Sequence, residues 1–297
     1  MAIPETQLDT WSHQGAVTQS KDTYATVKRA LESERASYTC RDFEVFLQGS
    51  YGNDTNVYAE SDVDVVIRLD ATFYYCLDDL NPVEQAAFQR AHPGGATYTH
   101  AQFKAHVVAA LETAFPRAVT PGNKAVKIAA AGNRRNADVV AAAQYRRYYT
   151  FPSASGATYA EGICFFLTDG TQIVNYPRQH SANCTAKHQA TNEWFKPTVR
   201  ILKNIRRAMV DAGLIDKTIA PSYFLEGMLY NVPNEKFGGS YVDTIVSCIN
   251  WIMQTDRSKF VCANEQFVLF GNWPETWPSG NYDQFMNAFV GYWKDWS

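Results

Sequence analysis

From about Gln14 to Glu34 apolar side chains return at helical spacing, with Val17, Tyr24, Val27 and Leu31 along one stripe. That spacing predicts an amphipathic helix. Phe43, Val45 and Leu47 then alternate with polar residues, and the period of two predicts a strand. A turn-rich segment, GSYGNDTNVYAES, separates it from DVDVVIRLD, which alternates again. Val63, Val65, Ile67 and Leu69 share the core face of that second strand, and Asp62 and Asp64 share the other. Pro82 to Phe115 reads as helix, broken at His92-Pro93-Gly94-Gly95. Two further strands are expected at Ala125–Ala130 and Ala137–Gln144, joined by the turn AGNRRN. A short pair follows around Cys164–Leu167 and Thr171–Val174, with Asp169-Gly170 as its hairpin turn. Beyond His180 the pattern becomes helical over Thr191–Ala212, Ser222–Tyr230 and Tyr241–Gln254, while the last forty-odd residues carry no assignable period. The expected organisation is α+β, a mixed first part over 1–180 followed by a helical part over 181–297.

Composition narrows the class. With 46% hydrophobic and 19% charged residues the chain is built to fold around a core. Its 27 basic residues are outnumbered by 30 acidic ones, for a net charge of −3. A protein that grips nucleic acid through phosphate neutralisation carries a basic excess, so no constitutive nucleic-acid binding is expected. The apolar runs are too short to span a bilayer, and MAIPETQLDTWSHQG lacks the basic start and apolar run of a signal peptide. A cytoplasmic protein with no membrane partner is the expectation. Six scattered cysteines without a C-x-x-C pair fit free thiols.

Candidate chemistry lies at the second strand. Two carboxylates on one strand face, about 6–7 Å apart, repel each other unless a cation sits between them. Mg²⁺ suits such a pair, because it takes hard oxygen ligands from one or two carboxylates together with substrate phosphates. Two such ions about 3.5–4 Å apart stabilise both the attacking and the leaving oxygen of a phosphoryl displacement. Asp138, on the later predicted strand, is the candidate third ligand and the group that helps remove a proton from an acceptor hydroxyl. Gly49-Ser50 supplies a turn at which backbone can approach a triphosphate closely, with the Ser50 hydroxyl as a further donor. Asp-x-Asp or Gly-Ser alone is common; strand, Gly-Ser, Asp-x-Asp opening an apolar strand, and a later strand Asp together are far more specific.

LQGSYGNDTNVYAESDVDVVIRL resembles the signature of the DNA polymerase β-type nucleotidyltransferase superfamily, and more narrowly of the bacterial CD-NTases, relatives of cyclic GMP–AMP synthase and oligoadenylate synthase. FKPTVRILKNIRR and APSYFLEGMLYNVP extend the resemblance to about Asn250. It implies a polymerase-β-type core, a mixed sheet with flanking helices, and a C-terminal helical lobe, with the active site in the cleft between them. It also implies synthesis of a cyclic di- or trinucleotide from nucleoside triphosphates, with two Mg²⁺ (or Mn²⁺) ions, in anti-phage (CBASS-type) signalling. By the same resemblance Asp62, Asp64 and Asp138 bind metal. Gln48, Gly49 and Ser50 form the phosphate-gripping turn, and Lys203 and Ser222 contact the triphosphate. No position of the signature departs from the pattern. Alternatives on the same core are template-independent nucleotidyl transfer to an RNA end, a tRNA or a protein, and a silent nucleotide-binding regulator with partner proteins of its own.

Several other features have ordinary explanations. Lys196, Arg200, Lys203 and Arg207 share one helix face, expected to be a solvated basic face at Lys196 and Arg207. His180, Cys184 and His188 recur every four residues, yet no fourth ligand accompanies them, which argues against zinc and for surface or packing roles. Arg134-Arg135 and Arg146-Arg147 read as exposed charge at strand ends, and Tyr241 as a core aromatic or a base-stacking ring.

Overall fold

The structure, a computed structural model, describes residues 2–15, 17–57 and 62–296. In chain order the elements are α1 (Glu5–Ser12), α2 (Thr18–Leu31), β1 (Phe43–Leu47), the single turn α3 (Gly49–Gly52) and β2 (Val63–Cys76). Next come α4 (Pro82–Ala91), α5 (His100–Ala114), β3 (Val119–Pro121), β4 (Val126–Ile128), β5 (Ala137–Thr150), β6 (Thr158–Phe166) and β7 (Gln172–Asn175). Five α-helices follow among the described residues: α6 (Pro177–Ala190), α7 (Phe195–Asp211), α8 (Ser222–Tyr230), α9 (Tyr241–Gln254) and α10 (Ser279–Lys294).

These elements form two compact units that are discontinuous in sequence. Thr18–Gln48 and Ser61–Tyr176 make one; Met1–Val17, Gly49–Glu60 and Pro177–Ser297 make the other. In the first, the sheet runs β1-β2-β5-β4-β3, and β6 continues from β5 to β7. Only β2 and β5 pair in parallel; every other described pairing is antiparallel. Helices α2 and α5 pack on β2 and β5. Their buried positions, Ser20, Thr23, Val27, Leu31 and His100, Phe103, Val107, Leu111, follow the same i, i+3, i+7, i+11 stripe. Against them lie Val63, Val65, Ile67 and Leu69 of β2, all fully buried as their alternation predicts. The break at His92–Gly95 separates α4 from α5, and each helix starts in a capping box, Asn81 with Glu84 and Thr99 with Gln102.

Burial on both faces alters the expected strand pattern. Val66 and Ala142 are also fully buried, in a second apolar layer with Val140, Ile163, Phe165 and Ile173. From Val65 to Leu69, therefore, β2 has no wet face, and the buried Arg68 is balanced by Asp70 at 2.5 Å, Glu161 at 2.6 Å and Glu44 at 3.3 Å. Strand β5 runs on to Thr150 because it sits mid-sheet, held by β2, β4 and β6.

The second unit is helical. Val199, Leu202, Ile205 and Met209 of α7 are fully buried among residues of α8, α9 and α10, with Leu8 of α1 in the same core. The unpatterned C-terminal stretch is part of that core: Trp277 is fully buried, and Phe285 and Phe289 of α10 pack beside it.

Candidate active site

Within the sheet unit, the parallel register sets Asp64 of β2 directly opposite Asp138 of β5. Neighbouring strands lie about 4.8 Å apart, so the two carboxylates share one end of the central strand pair. Asp62 stands two residues before Asp64, exposed just ahead of β2, and the same alternation turns it to their face. On the far side of Asp138, exposed Lys127 of β4 is its register partner. Burial pushes the Asp138 carboxyl above the usual carboxylate value, the negative charge of Asp62 adds to the rise, and Lys127 opposes it. Three carboxylates gathered at one end of the strand pair form a hard-oxygen donor set, which fits divalent cations such as Mg²⁺. Gln48, at the end of β1, donates its backbone N–H to the carbonyl of Asp64 at 3.0 Å.

Within the helical unit, Gly49 has φ of +67°, a left-handed conformation that a side chain would strain, and it starts the turn α3. Lys203 of α7, fully buried, donates from Nζ to Ser50 Oγ at 2.7 Å and to the Thr55 carbonyl at 2.9 Å. The sequence pattern does not mark the residues around this pair. Glu226, 2% exposed in α8, accepts from Thr55 Oγ1 at 2.5 Å, Asn53 Nδ2 at 3.2 Å and His180 Nε2 at 2.6 Å. A glutamate inside the apolar SYFLEGMLY helix was the available signal: a buried charge needs partners, so its presence announces a network. Ser222 opens α8 half-buried.

One of the expected ordinary roles changes. Lys196 is buried, not solvated, because the first turn of α7 lies inside the unit; its Nζ pairs with Asp54 at 3.1 Å, while Arg207 stays exposed beside Asp211. His180 and Cys184 are buried, and their ligand-type atoms lie within 4.8 Å of one another and of Glu226, whereas His188 is not of that group. Burial pulls the His180 imidazole down, but Cys184 and Glu226 outweigh it and hold the group above its ordinary value. Burial also keeps Cys184 a neutral thiol, so Glu226 is the charge that keeps His180 protonated. The arginines at the strand ends are engaged: Arg134 and Arg146 lie over the rings of Phe115 and Phe73, and Arg147 pairs with Asp79 at 2.7 Å. Tyr241 packs its ring against Trp194.

Residues 182–294 match the model of the cGAS/DncV-like nucleotidyltransferase C-terminal helical domain. Over full length the chain is 40% identical to the cyclic UMP-AMP synthase of Rhodothermus marinus, covering 100% of this chain and 99% of that one. It is 35% identical to the cyclic nucleotide synthase CdnE01 of Staphylococcus haemolyticus, covering 100% of both. The solved Rhodothermus marinus c-UMP-AMP synthase, with Apcpp and Upnpp, superposes with a TM-score of 0.88 at 39% identity, covering 99% of this chain and 98% of that one. With its mixed sheet, its helical C-terminal domain and these full-length similarities, the chain belongs to the cGAS/DncV-like nucleotidyltransferase (CD-NTase) family, and is an enzyme of that class.

Proposed function

We propose that the protein joins nucleoside triphosphates into a cyclic di- or trinucleotide second messenger, with release of pyrophosphate, in bacterial anti-phage signalling. The observation that carries the chemistry is the pairing of Asp64 with Asp138 across parallel β2 and β5, with Asp62 two residues away. In this mechanism Asp62, Asp64 and Asp138 would hold two Mg²⁺ ions, for which Mn²⁺ can substitute. When bound, those ions neutralise triphosphate charge and stabilise the attacking and leaving oxygens. A ribose hydroxyl oxygen bonds to the α-phosphorus, the bond to the β-phosphate bridging oxygen breaks, and pyrophosphate leaves. Asp138 takes the hydroxyl proton. Gln48, Gly49 and Ser50 form the turn that receives the triphosphate. Lys203 fixes Ser50 and brings a positive charge to it, and Ser222 is assigned a phosphate contact on family resemblance. The cyclic products of the Rhodothermus marinus and Staphylococcus haemolyticus relatives support the product class. No helix among the described residues is long and apolar enough to cross a membrane.

The test is incubation with all four ribonucleoside triphosphates and Mg²⁺ or Mn²⁺, then phosphatase treatment and mass spectrometry. A phosphatase-resistant cyclic product is expected, absent from the Asp62→Asn/Asp64→Asn variant. Only linear oligomers, or label on RNA or protein, would refute the cyclic product. Unchanged product from the double variant would refute the carboxylate assignment.

A further inference from the structure

Between the Gly-Ser turn and residue 57 the chain is fastened almost residue by residue within the helical unit. Thr55 and Asn56 are fully buried, and Asn53 nearly so. Ser181 Oγ of α6 donates to the Gly52 carbonyl at 3.4 Å. Lys196 and Arg200 of α7 hold the side chain and carbonyl of Asp54, at 3.1 Å and 2.7 Å. Asp54 itself has φ of +56°, which a non-glycine residue keeps only when its surroundings over-determine it. Gln14 Nε2 donates to Asn56 Oδ1 at 2.7 Å.

Thr55 is the junction of these ties. Its N–H donates to the Ser50 carbonyl at 2.9 Å, its carbonyl accepts from Lys203 at 2.9 Å, and its hydroxyl donates to Glu226 at 2.5 Å. Glu226 therefore reaches Ser50 by two routes through one residue, the backbone hydrogen bond and the Lys203 ammonium. A carboxylate beneath a site meant for a triphosphate is electrostatically adverse, so attraction for the substrate does not explain it. Geometry does. Its oxygens accept from Thr55, Asn53 and His180, and His180, stacked on Tyr223 at a centroid distance of 5.1 Å, anchors it from the other side.

We propose that Glu226, braced by His180, is a positioning residue: through Thr55 it holds Lys203 and Ser50 in the arrangement that receives the triphosphate. The proposal rests on the assignment of the Gly49-Ser50 turn as the triphosphate site. Glu226 touches no reacting atom. It fixes a turn that would otherwise have to be ordered when substrate binds, so its loss falls on triphosphate affinity before turnover.

The test is steady-state kinetics in Mg²⁺ on the full chain, with thermal midpoints measured alongside. Thr55→Val, which keeps shape and backbone but removes the hydroxyl, is expected to raise the triphosphate KM about tenfold with kcat changed far less. Thr55→Ser, which restores the hydroxyl, is expected to return KM to within about twofold. Glu226→Gln should raise KM similarly, and the Thr55→Val/Glu226→Gln double variant should be no worse than the more impaired single, the non-additivity expected of residues acting in series. Additive effects, or lowered thermal midpoints with KM unchanged, would overturn the proposal and leave a purely structural network. Ser50→Ala separates the two assignments. If it raises KM while Thr55→Val does not, the positioning role alone fails; if Ser50→Ala leaves KM unchanged, the turn is not the triphosphate site and both fail.

Discussion

Asp138 shows how a residue chosen for chemistry can oppose folding. Its carboxyl is raised by burial and by Asp62, so its contribution to stability is present below the usual value of 3.8 and is lost as pH rises through the raised folded value. In metal-free protein at neutral pH the ionised Asp138 thus weakens the fold. Asp138→Asn is expected to raise the metal-free midpoint by about 1–3 °C at pH 7 while product formation falls by at least about a hundredfold. Adding Mg²⁺ should stabilise the wild type and stabilise the variant far less. Differential scanning fluorimetry with and without EDTA reads this directly, and a lower metal-free midpoint for the variant would contradict it. The chain pattern made Asp62, Asp64 and Asp138 visible, because each opens or precedes an apolar strand. It hid Glu226, Thr55 and Asn53, whose importance comes from partners distant in sequence.

At the scale of elements, α6 and α8 are joined by the buried His180–Glu226 pair at 2.6 Å. His180 is held above its ordinary 6.5, so its stabilisation is complete below 6.5 and fades as pH rises through the raised value. Burial pushes Glu226 up, but His180, Lys203 and Thr55 outweigh it and hold the carboxyl below its usual 4.5, so its stabilisation is complete above 4.5 and fades in stronger acid. Both are fully present between pH 4.5 and 6.5. His180→Leu should therefore cost about 3 kcal/mol in that window, because it leaves a buried carboxylate with fewer partners, and the deficit should shrink toward alkaline pH. Denaturant unfolding of both proteins across pH checks it; a deficit that grows with pH would sink the pairing. Helices with a clean apolar stripe, α8 and α9 among them, begin and end where their patterns do. The residue pattern marks no helix at α1, α6 or α10, since α6 has no dominant apolar face and α10 buries aromatic rings drawn from a Trp- and Asn-rich stretch.

For the whole molecule, charge bears on partners. A net charge of −3 is joined by internal pairing of the cations: Arg68 with three carboxylates, Arg147 with Asp79, Lys196 with Asp54 and Arg257 with Asp283. These four cations are therefore engaged within the protein and not offered to a phosphate backbone. A fluorescent duplex at physiological salt is expected to bind no tighter than the roughly 10⁻⁴–10⁻⁶ M of non-specific contacts, and not to raise the rate of nucleotidyl transfer. Saturable nanomolar binding, or stimulation by duplex, would contradict the charge argument.

Local periodicity and short motifs carry the part of this protein that can be read from neighbouring residues alone. Alternation fixed the strands that carry the carboxylates, helical spacing fixed α2, α8 and α9, and the Gly-Ser to Asp-x-Asp spacing announced the chemistry. Tertiary structure alone decided which distant residues meet. The parallel register that sets Asp64 against Asp138, the inclusion of α1 and the 49–60 segment in the helical unit, the burial of Lys196, and the gathering of His180, Lys203 and Glu226 around Thr55 belong to this second kind. The physical reason is one of range. Backbone periodicity is set by neighbours a turn or a pleat away, whereas a buried charge is stabilised by partners that only the folded chain brings within hydrogen-bond reach.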